Sequence, residues 1–336
     1  MNFLFYFFVF IFGLAVGSFL NVIILRLNSR QRRGSPKAAG QVCRLETGEP
    51  ETEDSPPFKR RTVLRGRSHC PRCGAILRWY DLVPVLSFFV LRGRCRYCSQ
   101  PISWQYPLVE IATGALFLLT VGGITNQELG IKNNLAFGFW NLFEIWHLDF
   151  GILITICYML FVICSLIVIF TYDLRHYIIP DKIIFPAIIV VVLFRVFEIL
   201  NFGHWNLFGI WDLPPLASLA PGGGFGIWRP FLFYFLSAVG AAVFFLAIVL
   251  VTKGKGMGVG DVKLAFLMGL ILGWPNILVA LLLAFSSGAL VGLGLIVAKQ
   301  KTLKSQIPFG PFLISGTLVS FFFGSAIINW YFSFLL

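Results

Sequence analysis

Hydrophobic positions along the chain gather into long runs, each bounded by charge, proline or glycine. A helix needs roughly 20 mostly apolar residues to cross the hydrocarbon core of a bilayer. Eight such runs emerge, near residues 3–25, 107–123, 150–171, 183–200, 231–252, 261–274, 276–298 and 310–335. The sixth is short and ends at Gly273-Trp274-Pro275, read as a tight turn into the seventh. The first run has no basic segment before it and no small-x-small cleavage site after it, so it is expected to persist as a span. The pattern predicts an all-α polytopic membrane protein with eight transmembrane helices. Its expected divisions are a first helix over 1–27, a polar insert over 28–106 and a seven-helix membrane domain over 107–336.

Composition narrows this further. Of 336 residues, 57% are hydrophobic, 16% aromatic and only 12% charged. About a quarter of a soluble domain is charged, which excludes an ordinary water-soluble globule, and the aromatic wealth excludes a disordered chain. The distribution of the 27 basic residues then orients the spans. With the N-terminus outside, 24 of them fall in inside segments, 16 of these between Arg26 and Arg96. Lys132 and Arg229 fall outside and Arg195 lies within the fourth span. Positive residues accumulate on the cytoplasmic side, so both termini are expected outside. The same asymmetry accounts for the net charge of +12 through topology and anionic headgroups, so nucleic acid is not an expected partner.

The insert has two parts. Ser29 to Arg67 is rich in Arg, Glu, Pro and Gly and reads as loop-like. The second part carries Cys70-Pro-Arg-Cys73 and Cys95-Arg-Tyr-Cys98, two C-x2-C knuckles with 21 residues between them. Each knuckle can aim two thiolates at one ion, and together they complete a tetrahedral S4 set. Disulfides or free thiols are the bland readings, the former disfavoured on a reducing cytoplasmic side. Zinc, then iron, suits this soft ligand set. A closed set of four thiolates leaves no position for substrate, so such a metal folds the insert and performs no chemistry.

Carboxylates at a membrane edge are functional suspects. Asp173 closes the third span in Thr-Tyr-Asp173-Leu-Arg-His-Tyr-Ile-Ile-Pro-Asp181, and Asp261 opens the sixth in Gly256-Met-Gly258-Val-Gly260-Asp261. They share one depth and one side, 88 positions apart. Like charges held close cannot both ionise, so such a pair retains one proton. Its ionised member can take a proton from water while the other polarises a peptide carbonyl. Gly256, Gly258 and Gly260 allow positive φ and leave room for a substrate backbone beside Asp261. The bland reading of Asp173 is an interfacial charge paired with Arg175 or Lys263. Asp181 is expected to cap the fourth span, and Glu198 to pair with Arg195.

Seven motifs in order resemble the bacterial type IV prepilin peptidases, which are leader peptidases and N-methyltransferases. They are Gly17-Ser-Phe-Leu-Asn21-Val-Ile-Ile-Leu-Arg26, Ser68-His-Cys-Pro-Arg-Cys-Gly74, Arg92-Gly-Arg-Cys95, Pro101-Ile-Ser-Trp-Gln-Tyr-Pro107-Leu-Val-Glu110, the two aspartate segments, and Ile307-Pro-Phe-Gly310-Pro311. The resemblance implies an inner-membrane Gly-x-Gly-Asp aspartyl protease with catalytic Asp173 and Asp261, and zinc on Cys70, Cys73, Cys95 and Cys98. Its expected substrates are prepilins and pseudopilins, whose short basic leader is removed on the cytosolic face. Their new N-terminus is then methylated from S-adenosylmethionine. Gly17, Ser18, Asn21, Arg26 and Glu110 are candidates for the cofactor or amine site, against a bland reading of close helix packing and a snorkelling Arg26. Asn28 and Arg175 depart from the family pattern. Two other readings stay open: a peptidase of the same type without methyl transfer, and a transporter using the aspartates as a proton relay. The edge-of-bilayer depth of the aspartates argues against the latter.

Overall fold

Each of the eight apolar runs folds as a helix. The structure, a computed structural model, describes residues 2–31, 68, 70, 73, 75–128, 150–200, 229–254, 257–298 and 308–335. Gly256, Cys43, His69 and the loop-like stretch beyond Gln31 lie outside the described residues. The helices are α1 (Asn2–Gln31), α2 (Leu86–Val90), α3 (Gln105–Glu128), α4 (Phe150–His176), α5 (Asp181–Leu200), α6 (Arg229–Val251), α7 (Val259–Leu272), α8 (Asn276–Val297) and α9 (Gly310–Leu335). Among the described residues, six are long and apolar enough to cross a membrane: α1, α3, α4, α6, α8 and α9. The other two long runs depart for readable reasons. Helix α5 carries Arg195 and Glu198, and α7 has 14 residues, which at 1.5 Å each span about 21 Å of a roughly 30 Å core.

The chain divides into two compact units, Phe8–Ala115 and Met1–Phe7 together with Leu116–Leu336. In the first, α1 and α3 meet through small residues. A Cβ on Gly17 would lie 2.7 Å from the Glu110 Cα, and one on Gly114 would strike the Phe10 ring at 2.8 Å. Backbones this close are the usual means of joining helices in lipid, where packing replaces the hydrophobic drive.

The second unit holds α4 to α9 around one apolar core that includes Leu166, Ile169, Ile184, Phe245, Leu264, Met268 and Leu313. The same device recurs there: Gly269 lets α7 approach the backbone of Ala238 on α6, and Gly316 lets α9 approach the Ala280 carbonyl on α8. The last residues of α7, Leu270 to Leu272, are buried, so their carbonyls need donors. Arg195 reaches across from α5 to provide them. Its guanidinium donates to the Ile271 carbonyl at 2.9 Å and the Leu270 carbonyl at 3.3 Å. It also pairs with Glu198 at 2.8 Å and lies 3.6 Å over the Tyr234 ring. The expected Arg195–Glu198 pair is therefore present, and the arginine also caps a neighbouring helix.

Candidate functional site

Asp173 occupies the last turn of α4 and is 5% exposed. The helix closes just beyond it, where Tyr177, at φ +56°, donates its N–H to the Asp173 carbonyl at 2.8 Å. The backbone of Gly310, first residue of α9, hydrogen-bonds to the Asp173 carboxylate. A Cβ at Gly310 would fall on the carboxylate oxygen Oδ2, so only glycine admits this approach.

Asp261 stands at the third position of α7, whose N-cap is Gly258. Its Oδ2 accepts the Gly258 N–H at 3.1 Å. Neither of the two described glycines uses positive φ: Gly258 has φ −86°, and Gly260 lies within the helix. What Gly260 supplies is space, since a Cβ there would stand 3.2 Å from the Ile179 Cβ. That contact seats α7 on the segment that follows α4. Lys263 reinforces it through a 2.6 Å ion pair with Asp181, so the lysine is engaged away from Asp173.

The two carboxyl groups are close enough for the charge of Asp261 to act on Asp173. Neither has an ion-pair partner among the described residues; each accepts an N–H at the start of a helix, Asp173 from α9 and Asp261 from α7. Helix N-termini favour a negative charge, which offsets part of the cost of placing carboxylates at the membrane edge. Two carboxyl groups so placed can hold one proton and one water between them, the minimal equipment for acid–base hydrolysis of an amide.

The first unit contains the cysteine cluster. The Sγ atoms of Cys70, Cys73, Cys95 and Cys98 all lie within 4.8 Å of one another. Each knuckle is closed by its own turn, Cys70 N–H to the Ala75 carbonyl at 2.9 Å and Cys95 N–H to the Gln100 carbonyl at 2.9 Å. Asp81, between the knuckles, accepts from Arg96 in the second at 2.9 Å. A backbone hydrogen bond from Gln100 lowers the Cys98 thiol, yet desolvation and its own hydrogen bonding with the other three cysteines hold it up at about 11. Four thiols crowded in this way favour a divalent cation, which displaces their protons. The four cysteines can therefore hold a metal.

All five candidates for the cofactor or amine site lie in the same unit, four of them where α1 packs on α3. Glu110, 7% exposed, accepts the Val85 N–H at 2.7 Å and hydrogen-bonds with Ser18. Asn21, one turn along α1 from Gly17, donates its side-chain amide to the Tyr106 carbonyl at 3.1 Å. Arg26 is half-buried further along α1. Gly17 serves the close packing of α1 on α3. Sequence reasoning missed two features. Gly310 was legible only as part of a motif opening the last helix, and nothing in the sequence marks Val85, whose φ of +59° is unusual for a β-branched residue.

The chain is similar to known proteins over most of its length. Residues 11–123 match the model of the bacterial peptidase A24 N-terminal domain, and residues 159–293 that of the type IV leader peptidase family. Relatives described as prepilin leader peptidase/N-methyltransferase include that of Burkholderia pseudomallei (strain 1026b), 30% identical over 95% of this chain and 85% of its own length. Those of Legionella pneumophila and Aeromonas hydrophila are each 30% identical over 96% of this chain and 92% of their own. No solved structure matches the chain.

Proposed function

The chain belongs to the type IV leader peptidase family, and from that premise we propose that it is a membrane-embedded aspartyl peptidase and N-methyltransferase. It removes the short basic leader of prepilins and pseudopilins on the cytoplasmic face, then methylates the new N-terminus. The observation that carries the peptidase reading is that the charge of Asp261 acts on Asp173, with each carboxylate held on an N–H at a helix start.

In this reading one aspartate is ionised and takes a proton from a water molecule as it attacks the scissile carbonyl, while the other, protonated, donates to the carbonyl oxygen. The proton taken from water then passes to the departing amine as the C–N bond breaks, a hydroxyl of the tetrahedral intermediate returns its proton to the other aspartate, and the pair ends with one proton again. The pilin's own apolar helix reaches this edge by lateral diffusion in the membrane. We propose eight crossings of the inner membrane with both termini outside, supported by the eight helices and the basic residues gathered on one side.

Zinc on Cys70, Cys73, Cys95 and Cys98 has a structural role. Zn–S bonds of about 2.3 Å in a tetrahedron put sulfurs roughly 3.8 Å apart, which suits thiols already within 4.8 Å of one another. Cys70→Ser is expected to lower bound zinc from about one per chain to near zero, read by elemental analysis, and to make the insert sensitive to protease. Full zinc content in that variant rejects the four-cysteine site.

Methyl transfer is assigned to the first unit, with Gly17, Ser18, Asn21, Arg26 and Glu110 as its candidate residues. S-adenosylmethionine supplies an electrophilic methyl group on a sulfonium. Glu110 and the buried Asn21 offer acceptors to a cationic reactant, and Arg26 is the one positive charge among the five. Incubation of the solubilised protein with a prepilin and labelled donor tests the whole reading. The product mass should show loss of the leader and gain of one methyl group; an uncleaved prepilin rejects the peptidase, and a cleaved, unmethylated one rejects the transferase.

A further inference from the structure

Glu110 is a buried carboxylate near the start of a membrane helix, and among the described residues no cation faces it. Its partners are neutral donors, the Val85 N–H at 2.7 Å on Oε2 and Ser18. A carboxylate has about four acceptor positions, so two neutral donors leave it capacity for a further partner. A charge buried without a counter-charge in such a place is costly. On α1, Asn21 is 4% exposed and spends its amide N–H on the carbonyl of Tyr106, one turn before Glu110 on α3. Its Oδ1 is buried and has no hydrogen-bond partner. A carboxylate and an orphaned amide oxygen are acceptors only, and what satisfies both is a small cation bearing N–H groups.

We propose that Glu110 and Asn21 form the subsite for the pilin's newly exposed N-terminal ammonium, and that Glu110 is the base that prepares it for methylation. This rests on the methyltransferase reading above. An α-amino group with a pKa near 7.7–8.0 is mostly protonated at neutral pH and carries no free electron pair. Glu110 takes one proton from the ammonium. The freed lone pair of nitrogen forms a bond to the sulfonium methyl carbon, the carbon–sulfur bond breaks, and its electron pair stays on sulfur as a neutral thioether. The product is a methylated ammonium, and the proton on Glu110 leaves to water. The sulfonium centre itself has no N–H and would leave Asn21 Oδ1 unsatisfied; the donor's own α-ammonium is the competing occupant, and the separate KM values for donor and peptide distinguish the two.

The test uses the full-length protein in detergent, a pre-cleaved pilin N-terminal peptide and labelled S-adenosylmethionine. Glu110→Gln keeps the shape and removes the base. At pH 7 its methyl incorporation should fall by roughly 10²-fold or more, through kcat, with the KM for the donor changed less than about threefold. Between pH 7 and 9 the variant should regain about tenfold, because the amine then loses its proton unaided. Asn21→Leu should raise the KM for the peptide amine and leave that for the donor unchanged.

Zinc content and leader cleavage, which depends on the aspartates of the other unit, report on folding. Undiminished methylation by Glu110→Gln overturns the proposal. So does a defect confined to the donor's KM, which would make this the sulfonium subsite. Parallel loss of zinc and cleavage would make Glu110 a structural clamp on Val85, unless Asn21→Leu, still folded, shows the amine-specific defect. A wild-type protein that never methylates would reject the parent reading instead.

Discussion

Asp173→Asn and Asp261→Asn are each expected to reduce leader cleavage by on the order of 10³-fold. Asparagine keeps the size and one acceptor oxygen, so the Gly258 N–H still has its partner at position 261 and the Gly310 backbone retains one at 173. The variants should therefore fold, and zinc binding and methylation of a pre-cleaved peptide should survive. What disappears is the shared proton. With a single carboxyl group, the site can either take a proton from water or give one to the carbonyl, but cannot do both in one step. The double variant should be barely worse than either single one, because groups that act as a unit lose their function together. Cleavage by either variant within tenfold of wild type would eliminate the dyad and leave Asp173 as an interfacial charge.

How far all this was legible in the sequence follows from the range of each interaction. The eight helices were legible because a run of apolar residues is a local property, and the structure shifts their ends by only a few residues. The cysteine cluster was legible because ligand spacing within a knuckle is also local. The aspartates could be paired only by assigning both to one side of the membrane, a global inference that the basic residues made possible. The role of Gly260 was open between two uses. Glycine permits both positive φ and close approach, and only coordinates reveal that Gly260 makes room for Ile179. The donors to α7's last carbonyls come from Arg195, 75 and 76 positions earlier. Its intrahelical pairing with Glu198 was readable at three residues' distance, whereas the capping was not. Val85 escapes any pattern, since its backbone is set by the Glu110 carboxylate 25 residues away.

Gly310 illustrates the same limit with a larger consequence. It lies 137 positions after Asp173, yet its missing side chain is what lets the start of α9 touch the carboxylate. Gly310→Ala would place a methyl group on Asp173 Oδ2. The carboxylate cannot yield freely, because it is 5% exposed and faces Asp261. Either it turns away from its partner, or α9 slides outward and the backbone hydrogen bond from Gly310 is lost. A displacement of about 1 Å at reacting groups costs roughly 10²-fold in rate, or about 2.7 kcal/mol of barrier.

The loss should appear in kcat with KM for the prepilin little changed, since Gly310 touches the reacting carboxylate. Gly316→Ala provides the control. It sits two turns along the same helix and is just as crowded, but against the Ala280 carbonyl, so it should lower thermal stability while leaving kcat of the folded enzyme near wild type. If Gly310→Ala also loses only stability, the contact with Asp173 is packing and the positioning of the dyad lies elsewhere. A kcat defect unique to position 310 would instead identify the first turn of α9 as the element that holds Asp173 toward Asp261.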